Sequence, residues 1–134
     1  MLSMLSFPCP ESNPPTTTDL SSLVTAHGTC VDAPDPDAWF PHEPNPTGGL
    51  SPESLATRRA AYEDVARELC ADCPVRAQCL ELALREEYDL PRTWFHGIRG
   101  GKAPWQRCAM VYNRRRRARQ AARPAAASGA EAVA

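Results

Sequence analysis

The fold of this chain depends on one short stretch, Cys70-Ala71-Asp72-Cys73-Pro74-Val75-Arg76-Ala77-Gln78-Cys79. Its three cysteines have the spacing C-x2-C-x5-C, and a fourth cysteine, Cys30, lies 40 positions before Cys70. Thiolates are soft ligands, so four of them brought together can hold an iron–sulfur cluster or a zinc ion. A single C-x2-C pair is common by chance, whereas this set of four predicts a metal centre ligated by Cys30, Cys70, Cys73 and Cys79.

The spacing also bears on which metal is bound. Structural zinc usually takes its ligands as two paired knuckles, and this chain has one. A [4Fe–4S] cluster has a larger radius, so closely spaced positions at one helix start can reach different irons. The spacing favours the cluster. Three alternatives stay open: a zinc ion, unligated cysteines, or disulfides in a protein that has lost its cluster.

A second alternative uses two of the cysteines for redox catalysis. Cys70 and Cys73 have the C-x2-C spacing of thiol–disulfide oxidoreductases. That hypothesis leaves Cys30 and Cys79 without a role, and the chain lacks the βαβ pattern that usually carries the motif. We therefore expect a protein without enzymatic activity.

Length and composition indicate one small domain. The 134 residues include 14 prolines and only three each of Trp, Tyr and Phe, so the apolar core is small and a metal centre would help to hold it. No apolar run approaches 18 residues, which argues against a membrane span. The first residues lack the pattern of a signal peptide, so we expect the reducing cytoplasm as the location. We also expect the protein to be a monomer.

Charge divides the chain sharply. Residues 1–89 carry 15 acids and 5 bases, whereas residues 90–134 carry 10 bases and one acid. An acidic body followed by a basic tail is typical of a tail that meets a polyanion. The arginine run therefore predicts contacts with DNA phosphates, which are salt-sensitive and not sequence-specific. The candidate DNA residues are Arg114, Arg115, Arg116, Arg117 and Arg119.

Hydrophobic periodicity predicts an all-α fold of about four short helices. The first spans Thr16 to His27 with Thr17 or Thr18 as N-cap, and the second follows the N-cap Ser51 and ends at Cys70. The buried stripe of the second helix is expected to contain Leu55, Tyr62, Val65, Ala66 and Leu69. The third helix is predicted from Pro74 to about Tyr88 with Cys73 as N-cap and with Val75, Cys79, Leu82 and Ala83 on one face, and the fourth starts near Pro104.

The domain boundaries follow from these elements. We expect a disordered arm over residues 1–15, a cluster-binding domain over residues 16–112, and a basic, then Ala-rich tail over residues 113–134. Residues 44–50, rich in Pro and Gly, look like a loop insertion. Cys9 and Cys108 lie outside the metal pattern and receive no role.

Two further segments complete the pattern. Asp35-Pro36-Asp37-Ala38-Trp39-Phe40-Pro41 places two large aromatic residues inside a loop, and Phe95-His96-Gly97-Ile98-Arg99-Gly100-Gly101 is a turn that needs positive φ angles. Together with Cys30, the stretch from Cys70 to Leu84 and the arginine run, these segments resemble the WhiB-like family of actinobacteria and their phages. The resemblance covers roughly residues 20–120.

The resemblance implies a [4Fe–4S] cluster held by the four cysteines within a small helical fold, and a role as a transcription regulator. Family members typically bind the C-terminal domain of the primary σ factor, and some touch promoter DNA through a basic tail. The resemblance also implies a partner surface, with Trp39 and Phe40 either covering the cluster, contacting the partner, or both. That surface would comprise Trp39, Phe40, Gly97, Ile98, Arg99, Gly100 and Gly101.

The sequence departs from the family pattern at two places. The family's turn usually reads G-[IV]-W-G-G, and this chain has Arg99 at the tryptophan position, so the σ contact is either weakened or made by a neighbouring aromatic such as Trp94 or Phe95. The 39-residue gap between Cys30 and Cys70 is longer than expected, which a surface loop tolerates.

Overall fold

The computed structural model describes residues 13–124, which form four α-helices joined by irregular loops and two short 3-10 helices. The α-helices are α1 (Thr17–His27), α2 (Pro52–Cys70), α3 (Arg76–Glu86) and α4 (Pro104–Ala121), and the 3-10 helices are Pro36–Trp39 and Arg92–Trp94. Over residues 13–124 there is no β-strand, and Arg99 pairs with Lys102 in an isolated bridge. The predicted helical fold is confirmed. Most of the predicted disordered arm, Cys9 and the end of the Ala-rich tail lie outside the described residues.

The N-cap of helix α1 lies one residue before the first of the two predicted caps. Thr16 is the N-cap: its hydroxyl accepts a hydrogen bond from the Asp19 amide, and the Asp19 carboxylate accepts one from the Thr16 amide. The prediction of Thr17 or Thr18 was wrong because this reciprocal capping box satisfies two backbone donors at once. Leu20 is buried, and α1 packs against α3.

Helix α2 begins and ends as predicted. Ser51 caps it through a hydrogen bond from the Ser54 amide, and Cys70 is its last residue. Its buried side chains are Tyr62, Ala66 and Cys70. The placement of Val65 in the buried stripe was wrong: its side chain is 39% exposed, because it is turned about 100° around the helix axis from Ala66.

Helix α3 starts two residues later than predicted. Val75, not Cys73, is its N-cap, with a non-helical backbone, and Pro74 lies in a turn. The cause is a pair of consecutive turns, in which the Cys73 amide donates to the Cys70 carbonyl and the Arg76 amide donates to the Cys73 carbonyl. The helix begins only after these turns. Val75, Leu82 and Ala83 are buried as predicted, and Leu84 is buried as well.

Two groups of buried side chains form the core. One contains Tyr62, Ala66, Cys70, Ile98 and Ala103, with Trp39, Leu69 and Trp105 packed against it. The other contains Leu84, Phe95, Cys108 and Val111. Both draw on α4 or the residue that caps it, so this helix ties the two groups together. None of the helices described is long and apolar enough to cross a membrane.

Candidate metal centre

Four cysteine side chains line one small cavity, which we call the thiol cavity. Cys30 comes from the turn after α1, Cys70 from the end of α2, Cys73 from the turn that follows, and Cys79 from the first turns of α3. Trp39, Leu69 and Ile98 form apolar walls between them. The structure therefore brings together the four cysteines that the sequence singled out.

The four thiols differ in exposure. Cys70 is buried, Cys73 and Cys79 are half-buried, and Cys30 is exposed; all four are free of disulfides. Within residues 13–124 no three His, Cys, Asp or Glu side chains converge closely enough to define a site for one metal ion. The four cysteines share the lining of one cavity.

The chemistry of the donor set fits an iron–sulfur cluster. Four thiolates are the usual ligands of such clusters. The cavity between the thiols has a volume of about 20 Å³, and its apolar lining of Trp39, Leu69 and Ile98 suits a cluster shielded from water.

Burial and local hydrogen bonds shift the pKa values of the thiols in different directions. Burial raises the pKa of Cys70 and of Cys79. Burial also acts against ionisation of Cys73, but hydrogen bonds from the Thr29 and Val75 amides and the Thr29 side chain, with the nearby Arg76 charge, lower its pKa overall. Cys73 is therefore the thiol of the three that ionises most readily.

A glycine turn, Gly97–Gly101, supplies backbone donors to the buried sulfurs. Burial is the larger effect on the pKa of Cys70 and of Cys79, and hydrogen bonding from the Gly101 amide to Cys70 and from the Gly100 amide to Cys79 acts in the opposite direction, lowering the pKa. Hydrogen bonds to ligating sulfurs are one of the means by which a protein tunes a cluster. The glycine turn thus lies beside two of the four thiols, a position that sequence reasoning did not give it.

Gly100 is required by both its backbone and its surroundings. Its φ is +59°, and a Cβ built on it would lie 2.4 Å from the Leu80 Cβ and 2.6 Å from the Leu80 backbone nitrogen. Real Cβ atoms do not approach other atoms this closely, so only glycine lets the turn press against α3 beside Cys79.

Trp39 and Phe40 have separate positions. Trp39 lines the thiol cavity, and its carbonyl accepts a hydrogen bond of 2.7 Å from the Ile98 amide. Phe40 is 66% exposed, and its ring edge lies against Gly97. Trp39 therefore covers the cavity, and Phe40 faces outward next to the glycine turn.

A buried arginine that sequence reasoning missed holds the glycine turn in shape. Arg107 is fully buried, and its guanidinium forms a two-pronged ion pair with Glu87 at 2.8 and 3.1 Å. Its other N–H groups donate to the carbonyls of His96, Gly97 and Lys102 at 2.7–2.9 Å. All five donors of the guanidinium are used. The arginine-rich composition of residues 90–134 gave no signal that one of these bases is in the core.

Arg99 lies at the rim of the thiol cavity. Its guanidinium forms an ion pair of 3.1 Å with Glu86, and its side chain is 29% exposed. Of the two aromatic residues considered as substitutes for the family's tryptophan, Phe95 is buried in the core and Trp94 is 65% exposed. Phe95 therefore cannot present its ring to a partner from this position, whereas Trp94 can.

The arginine run lies on α4, and its members have different surroundings. Arg114 forms a double hydrogen bond with Glu81, and Arg115 stacks over the Tyr112 ring. The arginines with exposed side chains are Arg116, Arg117 and Arg119.

The fold and site define a small helical protein with four thiols around one cavity, a tryptophan cover and a glycine turn. Residues 25–110 match the family model described as transcription factor WhiB. The match spans more than half of the chain, so the protein belongs to the WhiB family of transcription factors. No curated protein and no solved structure matches it significantly.

Proposed function

We propose that this transcription factor carries a [4Fe–4S] cluster on Cys30, Cys70, Cys73 and Cys79 and acts in the cytoplasm, without enzymatic activity, through a σ factor and promoter DNA. The observation that carries the proposal is the thiol cavity, which Cys30 lines together with the later cysteines Cys70, Cys73 and Cys79. Trp39 and Gly100 line the same cavity. Four thiolates are the usual ligands of an iron–sulfur cluster.

The cysteines can be tested one at a time against a matched control. Cys30→Ser, Cys70→Ser, Cys73→Ser and Cys79→Ser should each abolish or strongly reduce the visible absorption of the anaerobically purified protein. Cys108→Ser should leave that absorption unchanged, because Cys108 packs with Leu84, Phe95 and Val111 in the other core group. Retained absorption in all four ligand variants would contradict the proposal.

The proposed partner surface lies around the glycine turn. Phe40 and Trp94 are the two most exposed aromatic side chains described, and Phe40 packs on Gly97. Exposed aromatic side chains are frequent anchors of protein interfaces. Since Arg99 occupies the family's tryptophan position and is paired with Glu86, we assign the apolar part of the σ contact to Phe40 and Trp94.

Binding to the C-terminal domain of a primary σ factor tests this surface. Phe40→Ala and Trp94→Ala should each weaken binding by at least tenfold, equivalent to about 1.4 kcal/mol. Val65→Ala is the control, because Val65 is an exposed apolar side chain on α2, away from the glycine turn in sequence and absent from the thiol cavity. Equal affinities for the three variants and the unmodified protein would exclude these aromatics from the contact.

Response to oxygen or nitric oxide is a further part of the proposal. Cys30 is exposed, so the cluster would have one weakly covered side. Anaerobic spectra taken before and after addition of nitric oxide should differ. An unchanged spectrum would exclude sensing while leaving the cluster in place.

A further inference from the structure

Arg99 and Glu86 form a charge pair beside the thiol cavity. The Arg99 guanidinium lies 3.1 Å from the Glu86 carboxylate, and Arg99 also lines the cavity together with Cys79. Arg99 is only 29% exposed, whereas Glu86 is 48% exposed. Arg99 lines the cavity whereas Glu86 does not, so the cation is the member of the pair that faces the thiols, and its lower exposure means less screening by water.

A cation at this position favours negative charge in the cavity. A [4Fe–4S] core of charge 2+ held by four thiolates has a net charge of about −2, and uptake of one electron makes it about −3. A nearby positive charge stabilises the more negative form, and a nearby carboxylate does the opposite. The effective charge that the cluster meets thus depends on how far Glu86 neutralises Arg99.

We propose that the charges of Arg99 and Glu86 shift the reduction potential of the cluster in opposite directions. Arg99 raises the potential by stabilising the reduced form, and Glu86 lowers it by offsetting the arginine. This inference rests on the proposed cluster. Glu86 is the exposed member of the pair, so a cationic group of a bound partner that engages Glu86 would release Arg99 and raise the potential.

Backbone hydrogen bonds and the ion pair together accommodate the charged Arg99 in the glycine turn. The Arg99 amide donates to the Lys102 carbonyl and the Lys102 amide donates to the Arg99 carbonyl, which fixes the backbone on both sides of Gly100 and Gly101. With the backbone fixed, the Arg99 side chain reaches from the turn to the end of α3. The ion pair with Glu86 holds the guanidinium at the end of α3, the helix that also carries Cys79.

Two neutral variants give a test with opposite signs. Anaerobically purified full-length protein would be titrated electrochemically with mediators, so that the electron comes from the electrode and the cluster passes from 2+ to 1+. Arg99→Gln should lower the reduction potential and Glu86→Gln should raise it. A tenfold change in the reduction equilibrium corresponds to about 59 mV for one electron, and we expect shifts of about this size.

Further variants separate the charge effect from other causes. Arg99→Lys keeps the charge and should stay close to the unmodified protein. Arg58→Gln removes an exposed arginine that does not line the thiol cavity and should leave the potential unchanged. The shift caused by Glu86→Gln should shrink in high salt, because that carboxylate is the more exposed group.

The outcomes distinguish this inference from the proposal that it rests on. Opposite shifts for the two neutral variants support it. Potentials that coincide, or that move in the same direction in both variants, overturn it while leaving the cluster in place. Protein that purifies without iron and sulfide, in the unmodified chain as well as the variants, overturns the inference and the proposed function together.

Discussion

Replacing Arg107 with Gln should destabilise the protein more than any substitution of an exposed arginine. The guanidinium is fully buried, and its five N–H groups bind the Glu87 carboxylate and three carbonyls around the glycine turn. Breaking a buried ion pair from one side costs about 3–5 kcal/mol, because the remaining charge stays buried without a partner. Glu87 is only 4% exposed, so water does not readily replace the arginine.

The carbonyls add to this loss. A buried acceptor that loses its donor costs about 1–3 kcal/mol, and Gly97 is itself buried. A domain of this kind is stable by only about 5–15 kcal/mol, so we expect Arg107→Gln to remove at least about 3 kcal/mol and to approach complete unfolding. Glu87→Gln should also destabilise the protein, because it leaves the buried Arg107 charge without its counter-ion and replaces one acceptor oxygen with a donor NH2 group.

Urea unfolding followed by far-UV circular dichroism measures the effect on identically prepared proteins. Arg67→Gln is the matched control: Arg67 pairs with Asp64 on the surface of α2, with both side chains more than half exposed. Such a pair contributes about 0–1 kcal/mol. An Arg107→Gln midpoint that corresponds to a loss within about 1 kcal/mol of the control would refute the assignment of Arg107 as the residue that holds the glycine turn.

Three other predictions concern Gly100, Glu81 and the exposed arginines of α4. Gly100→Ala should destabilise the protein and impair cluster assembly much more than Gly49→Ala, measured by urea midpoint and visible absorption, because both glycines have positive φ but only Gly100 faces a close neighbour. Glu81→Gln should lower stability at pH 7 but not at low pH, because hydrogen bonding to Arg114 lowers the Glu81 pKa. The stabilisation from the Glu81 carboxylate is fully present above the ordinary carboxylate pKa of about 4.3. It is lost as the pH falls through the lowered pKa. Equal destabilisation at both pH values would contradict this assignment. Replacing three exposed arginines with alanine should reduce the salt dependence of DNA binding. The slope of log K against log salt concentration should become shallower by up to roughly 2.7, at about 0.9 for each DNA phosphate that is no longer neutralised. An unchanged slope would exclude these arginines from phosphate binding. Those arginines are Arg116, Arg117 and Arg119.

Much of the architecture followed from local signals. Ser51 and Pro52 mark the start of α2, and the C-x2-C-x5-C spacing marks the break between α2 and α3. These signals act over one or two helical turns, so they are visible in the sequence alone. The predictions at Thr17, Val65 and Pro74 were wrong by one or two residues at a helix start or at the edge of a buried helix face. At such positions tertiary packing and reciprocal hydrogen bonds determine where the helix begins and which side chain is buried.

The role of the glycine turn could not be derived in this way. Its glycines indicated positive φ angles, but their contacts with Leu80, Cys70 and Cys79 join positions that are 20 or more residues apart in sequence. Arg107 was invisible for a similar reason. A buried arginine has no periodic signature, and its partners are Glu87 and three carbonyls that the sequence does not mark.

The charge asymmetry also takes a different form in three dimensions. Arg99, Arg107 and Arg114 pair with Glu86, Glu87 and Glu81, which lie on α3 or directly after it. Part of the basic half thus neutralises part of the acidic half within the chain. Arg116, Arg117 and Arg119 stay exposed near the end of α4, and these are the arginines that we propose for DNA contact.

Iron and acid-labile sulfide analysis of anaerobically purified protein tests the central claim most directly. The thiol cavity predicts about four iron and four sulfide per chain, with both lost in Cys79→Ser and retained in Cys108→Ser. A colourless protein with one zinc and no iron, or iron content unchanged by Cys79→Ser, would contradict the account.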